Sequence, residues 1–75
     1  MNISRGRCLL PDLIDSKGWT QAEYSRRSGR SKRMISHFCQ NKRVMQPEDI
    51  YTACLLFGIG VESIYEWIIN EQAAD

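Results

Sequence analysis

An all-helical domain is what this sequence predicts, and three observations carry the prediction. Apolar residues recur at helical spacing along most of the chain, and no stretch shows sustained period-two alternation. Start and stop signals bracket the periodic segments, with Thr20, Ser31 and Pro47 at the beginnings and Gly18, Gly29 and Gly58 at the ends. The connections are short and marked by Gly, Ser, Asn or Pro. Seventy-five residues leave room for one core and therefore one domain, and a composition 43% hydrophobic and 25% charged is that of an ordinary globular protein.

Five helices are expected. The first covers residues 8–16 and buries Leu10, Leu13 and Ile14, with Pro11 in the first turn, where its missing N–H has no partner to lose. Thr20 caps the second helix, residues 21–28, and Glu23 three positions on completes a capping box. Gly29 supplies a tight turn, and Ser31 caps the third helix, residues 32–39. Met34 or Ile35, with Phe38, forms the inner stripe of that helix, and Lys32, Arg33, Ser36 and His37 lie on the opposite side. The fourth helix opens with Pro47, Glu48 and Asp49, buries Ile50, Ala53, Cys54 and Phe57, and stops at Gly58. The fifth runs over residues 61–70 and buries Val61, Ile64, Tyr65 and Ile68. Residues 1–6 and 71–75 are left as flexible ends.

The net charge of +1 conceals a strong segregation. Residues 24–47 hold Arg26, Arg27, Arg30, Lys32, Arg33, Lys42 and Arg43 and no acid, a block of +7. Residues 48–75 hold Glu48, Asp49, Glu62, Glu66, Glu71 and Asp75 and no base, a block of −6. Residues 1–23 balance, with Arg5, Arg7 and Lys17 against Asp12, Asp15 and Glu23. Positive charge over the two short central helices is the footprint of phosphate binding, with the acidic third turned away.

Other chemistries find little to work with. Cys8, Cys39 and Cys54 are an odd set with no CxxC pair, so neither a disulfide framework nor a zinc site follows from their spacing. His37 is the only histidine, and no Ser, Cys or carboxylate stands in a recognisable catalytic constellation with it. No cofactor, metal or enzymatic activity is expected. No apolar run approaches the ~18 residues of a membrane span, and the N-terminus lacks the apolar stretch of a signal peptide, which points to a cytoplasmic protein.

The segment KGWTQAEYSRRSGRSKRMISHFCQNKR, followed by PEDIYTACLLFGIGVESIYEWI, resembles the Cro/repressor type of helix-turn-helix domain, the XRE family of small regulators. Gly18, Thr20-Gln21, Gly29, Ile35, Asn41-Lys42-Arg43 and Phe57-Gly58-Ile59 carry the resemblance, which spans about residues 8–69. It implies a five-helix Cro/repressor-like domain that binds operator DNA, usually as a dimer on a two-fold site. The sequence departs from that pattern at Ser25, Ser28 and Arg30 beside the turn, at Ile14, and at Gly60 before the last helix. Arg30 is then expected to turn outward to a phosphate or to lay its stem over the core.

The resemblance further implies that the third helix enters the major groove. Ser31, Lys32, Arg33, Ser36 and His37 would then meet base edges or flanking phosphates, with Arg33 or Lys32 suited to guanine O6 and N7. Gln21 would hold a phosphate at the start of the second helix, and Gln40, Asn41, Lys42 and Arg43 would grip the backbone on the other side. A homodimer, formed either free or only on DNA, is expected from large apolar residues off the core stripes: Tyr51 and Leu55 on the fourth helix, Trp67 and Ile69 on the fifth. The alternative is the same fold used as a protein-interaction module, such as an antirepressor or adaptor, with a regulatory protein as partner.

Overall fold

The computed structural model describes residues 1–70 of the chain. Its order is β1 (Asn2–Cys8), α1 (Leu10–Ser16), α2 (Gln21–Ser28), α3 (Lys32–Cys39), α4 (Pro47–Phe57), a 3₁₀ turn (Val61–Ser63) and β2 (Tyr65–Asn70). Four helices and a two-stranded antiparallel sheet therefore replace the expected all-α five-helix domain.

The central helices follow the signals in the sequence. The Thr20 hydroxyl accepts from the Glu23 N–H at 3.1 Å, and the Ser31 hydroxyl accepts from the Met34 N–H at 3.2 Å. Each satisfies one of the donors left open at a helix start. Gly29 ends α2 at φ 78°, a left-handed conformation that a side chain would strain. Asn41 takes the equivalent place after α3 at φ 61°. Its N–H reaches the Phe38 carbonyl at 3.0 Å, and the Lys42 N–H reaches that of His37 at 2.9 Å. This pair of bonds is a Schellman closure, and asparagine is the side chain besides glycine that commonly accepts it.

The expected fifth helix is a 3₁₀ turn followed by β2, and the expected loose N-terminus is β1. The two pair antiparallel, with Ile3 opposite Ile69, Ser4 opposite Ile68, Arg5 opposite Trp67 and Cys8 opposite Tyr65. Between the last two pairs, Gly6 and Arg7 on β1 face only Glu66 on β2, which is a β-bulge. A Cβ on Gly6 would lie 3.0 Å from the Glu66 carbonyl oxygen, so a side chain there presses on the facing backbone and the bulge must give way by a few tenths of an ångström. Two physical reasons defeated the helical reading. Residues 65–69, Tyr-Glu-Trp-Ile-Ile, are mostly aromatic or β-branched and pack well on a pleated surface once a partner strand is present. That partner lies some sixty residues away, and its own alternation is broken by the bulge. The other expected loose end, residues 71–75, lies outside the described residues.

The core joins every element: Cys8 from β1, Leu10 and Ile14 from α1, Tyr24 from α2, Ile35 and Phe38 from α3, Met45 from the loop, Ala53 from α4, and Ile64 and Tyr65 from the C-terminal segment. Burial of side chains this size contributes about 1.5–3 kcal/mol each for the larger ones. Val61 and Ile68, expected inside, are 51% and 59% exposed: Val61 lies in the 3₁₀ turn, and strand geometry points Ile68 away from the core. Trp19, Tyr24 and Phe57 form an aromatic cluster beside the core, with Tyr24 and Phe57 stacked at 5.4 Å. Among the described residues, no helix is long and apolar enough to cross a membrane.

Candidate nucleic-acid interface

The exposed side of α3 follows from the burial of Ile35 and Phe38, which fixes the rotation of the helix about its axis. Lys32 and Arg33 are exposed, and Ser36 and His37 are half-buried on the same outward side. Gln21, at the first position of α2, borders this side. Gln21, Lys32, Arg33, Ser36, His37, Gln40 and Lys42 line an open hollow of about 410 Å³. A second hollow of about 270 Å³, on the other side of Arg33 and His37, is bordered by Ser31, Met34 and Arg43. The structure thus brings nine of the ten residues expected to touch DNA around two adjoining depressions, with Arg33 and His37 as the ridge between them.

Several of these side chains already have partners. Ser31 is engaged as the cap of α3. The Gln40 amide donates to the Ser36 hydroxyl at 3.0 Å, which links two neighbouring turns of the exposed side. Asn41, the tenth residue, sits at the end of α3, and its side-chain oxygen accepts from Arg5 of β1 at 3.4 Å. Arg5 also lies 5.3 Å above the ring of Tyr65, whose hydroxyl accepts the Met45 N–H at 3.1 Å. The strand pair is therefore fastened to the loop that follows α3.

Ion pairing divides the basic block. Arg26 and Arg27 both reach the Glu23 carboxylate, and the hydrogen bond from Arg26, with help from Arg27, holds Glu23 below the usual carboxylate range. Arg27 also lies 4.4 Å over the Trp19 ring. Arg30, still partly exposed, turns to Asp49 of α4. Its Nε meets one Asp49 oxygen at 2.5 Å and its Nη2 the other at 3.2 Å. Arg7 pairs with Asp12 at 3.1 Å and Glu66 at 3.6 Å. Among the described residues, no carboxylate comes within 4.0 Å of Arg5, Lys17, Lys32, Arg33, Lys42 or Arg43. The +7 run thus contains three cations paired with two carboxylates, Glu23 and Asp49, that lie just outside it in sequence, and four cations with no such partner among the described residues.

The turn between α2 and α3 is braced by polar groups. The Ser25 hydroxyl donates to the Arg30 carbonyl at 2.5 Å, and the Arg30 N–H donates to the Ser28 hydroxyl at 3.3 Å. Asp49 in turn accepts the Gln46 N–H at 3.1 Å, so one carboxylate caps α4 and clamps the turn. The enclosed space beneath it is about 10 Å³, enough for one water and no ligand. Burial pushes the Cys8 thiol up and the Cys39 thiol up to about 11, so both are neutral thiols at physiological pH. Cys39 packs against the core while His37 lies on the outward side.

The residues expected at a dimer contact are on the surface but on different elements. Tyr51 and Leu55, both 66% exposed, share the outer side of α4. Trp67 and Ile69, 38% and 55% exposed, share one side of β2 rather than a helix face. Sequence reasoning missed Asp49 as the clamp of the turn and Arg5 as a neighbour of α3. Asp49 read as a helix-dipole acid, and nothing local to Arg5 signals its strand partner. No family model, curated protein or solved structure matches the chain.

Proposed function

We propose that this chain is a sequence-specific DNA-binding regulator of transcription, a repressor or Cro-like protein of a phage or other mobile element, at work in a bacterial cytoplasm. The observation that carries the reading is the gathering of Lys32, Arg33, Lys42 and Arg43, the unmatched cations of the basic block, around one exposed helix. Gln21, Ser36, His37 and Gln40 lie among them as hydrogen-bonding side chains. The resemblance to Cro/repressor domains in residues 8–69 supports the same use of α3.

In this reading α3 lies in the major groove. Lys32 and Arg33, at its N-terminal end, address base edges, and the Arg33 fork suits guanine O6 and N7. Lys42 and Arg43, past its C-terminal end, hold phosphates, as does the N-terminus of α2 at Gln21. The clamp from Arg30 to Asp49 fixes the angle at which α3 leaves the turn, so that these contacts form together. The protein acts as a homodimer on a two-fold operator, using Trp67 and Ile69 with their strand neighbour Ile3.

The test is a gel shift on duplex DNA flanking the gene, repeated as salt is raised. With several phosphate contacts, affinity falls by orders of magnitude between about 50 and 200 mM salt. Arg33→Ala relaxes discrimination at particular base pairs at a cost of about 1–3 kcal/mol, whereas Lys42→Ala weakens all sequences alike and flattens the salt slope by about one unit. Binding that ignores salt, or none to any duplex, would overturn the reading in favour of a protein-interaction module.

A further inference from the structure

The basic surface does not end with the helices. β1 carries two arginines, and the fold treats them oppositely. Arg7 lies in the bulge and is matched by Asp12 and Glu66. Arg5, two residues earlier, stands opposite Trp67 on the side of the sheet shared with Tyr65. Its contacts are the neutral Asn41 oxygen and the Tyr65 ring, which hold a guanidinium in place without cancelling its charge. Asn41 is next to Lys42 in the closing turn of α3, so the charge of Arg5 belongs beside Lys42 and Arg43 rather than at a separate end of the molecule. A guanidinium has five N–H donors, and the Asn41 bond engages one of them; the side chain is otherwise exposed.

We propose that Arg5 is a fifth cation of the nucleic-acid surface and binds a backbone phosphate of duplex DNA, laying β1 along the strand that Lys42 and Arg43 grip. This rests on the DNA-binding reading above and extends it to a second element. Three features support it. The side chain is pre-positioned by two uncharged neighbours, which lowers the entropy lost on binding. The planar fork matches two phosphate oxygens at once. Apart from Lys17, which lies after α1, Arg5 is the only unmatched base outside the α3 region among the described residues, and the tertiary structure brings it to that region.

The experiment measures duplex affinity against salt for the full chain and three variants. Arg5→Gln keeps an N–H donor for Asn41 and removes the charge. Arg5→Lys keeps the charge, and Arg7→Gln is the control on the same strand. Arg5→Gln is expected to flatten the slope of log affinity against log salt by about 0.9, so its deficit shrinks about 3.5-fold between 50 and 200 mM salt. Its preference for operator over random duplex stays unchanged, because phosphates carry no sequence information. Arg5→Lys restores the slope, and Arg7→Gln never loses it. An Arg5→Gln slope equal to that of the unaltered chain overturns the inference and leaves the DNA-binding reading standing. Weaker binding at unchanged slope, with a lowered melting temperature, also overturns it, since Arg5 then only supports Asn41 and Tyr65. An unaltered chain that binds no duplex removes both proposals together.

Discussion

Asp49 is the one charged side chain among the described residues that the fold buries, at 6% exposure, and three donors converge on it. A carboxylate in that position is stable only while its partners remain. Removing Arg30 leaves the charge with a single backbone donor. Because the Arg30 side chain is itself 43% exposed, water screens part of the interaction, and the cost falls below that of a fully buried pair. Arg30→Met is expected to lower stability, read as a lower midpoint in urea unfolding. Adding Asp49→Asn to it recovers part of that loss, since the unpaired charge disappears while a cap for Gln46 is retained. Strictly additive effects would show that the two side chains do not interact. Arg30→Met should also leave the salt slope of DNA binding intact, because its charge is already matched. A loss of slope would return Arg30 to the set of phosphate ligands.

At the scale of elements, the sheet hinges on the bulge. Gly6 and Arg7 share one position of the ladder, which lets Arg5 and Cys8, three residues apart, lie on the same side. A side chain at Gly6 meets the Glu66 backbone at 3.0 Å and its Cβ at 3.2 Å, neither of which is the free end of a flexible chain. Gly6→Val is therefore expected to destabilise the domain by about 1–3 kcal/mol, read as a lower melting temperature. Ser4→Val, at an exposed position of the same strand, should change stability little. Equal melting points for the two variants would mean that the bulge is not closed as described.

For the molecule as a whole, the far half of the strand pair poses a problem of stability. Ile3, Ile68 and Ile69 are 59%, 59% and 55% exposed, and two strands alone are marginal in water. The segment made of Asn2, Ile3, Ser4, Ile68, Ile69 and Asn70 carries no charged side chain, so it offers an ionic partner nothing and a second copy of itself a like surface. Packing the sides of two such ribbons that carry Ile3 and Ile69 against each other gives a two-fold axis. On an operator, that axis must set the two α3 helices about 34 Å apart, one turn of DNA. Ile69→Lys should leave circular dichroism unchanged, shift sedimentation from dimer to monomer, and abolish cooperative operator binding. A wild type that sediments as a monomer both free and on a palindromic duplex ends the dimer proposal.

The sequence by itself determined the helical segments from Leu10 to Phe57, because caps, stops and 3.6-residue periodicity act within a few neighbours along the chain. Thr20, Gly29, Ser31 and Pro47 all sit where their local chemistry requires, and the outward side of α3 followed from Ile35 and Phe38. Only the tertiary structure decided the two ends. Tyr65–Asn70 satisfies a helical apolar pattern as well as a strand pattern, and the choice belongs to Asn2–Cys8, which supplies the missing hydrogen bonds from the far end of the chain. Charge behaved in the same way. Its sign along the sequence was legible, and the pairs of Glu23 with Arg26 and Arg27 are local to one helix, but the matching of Arg30 and Arg7 was not, because Asp49 and Glu66 reach them only across the fold.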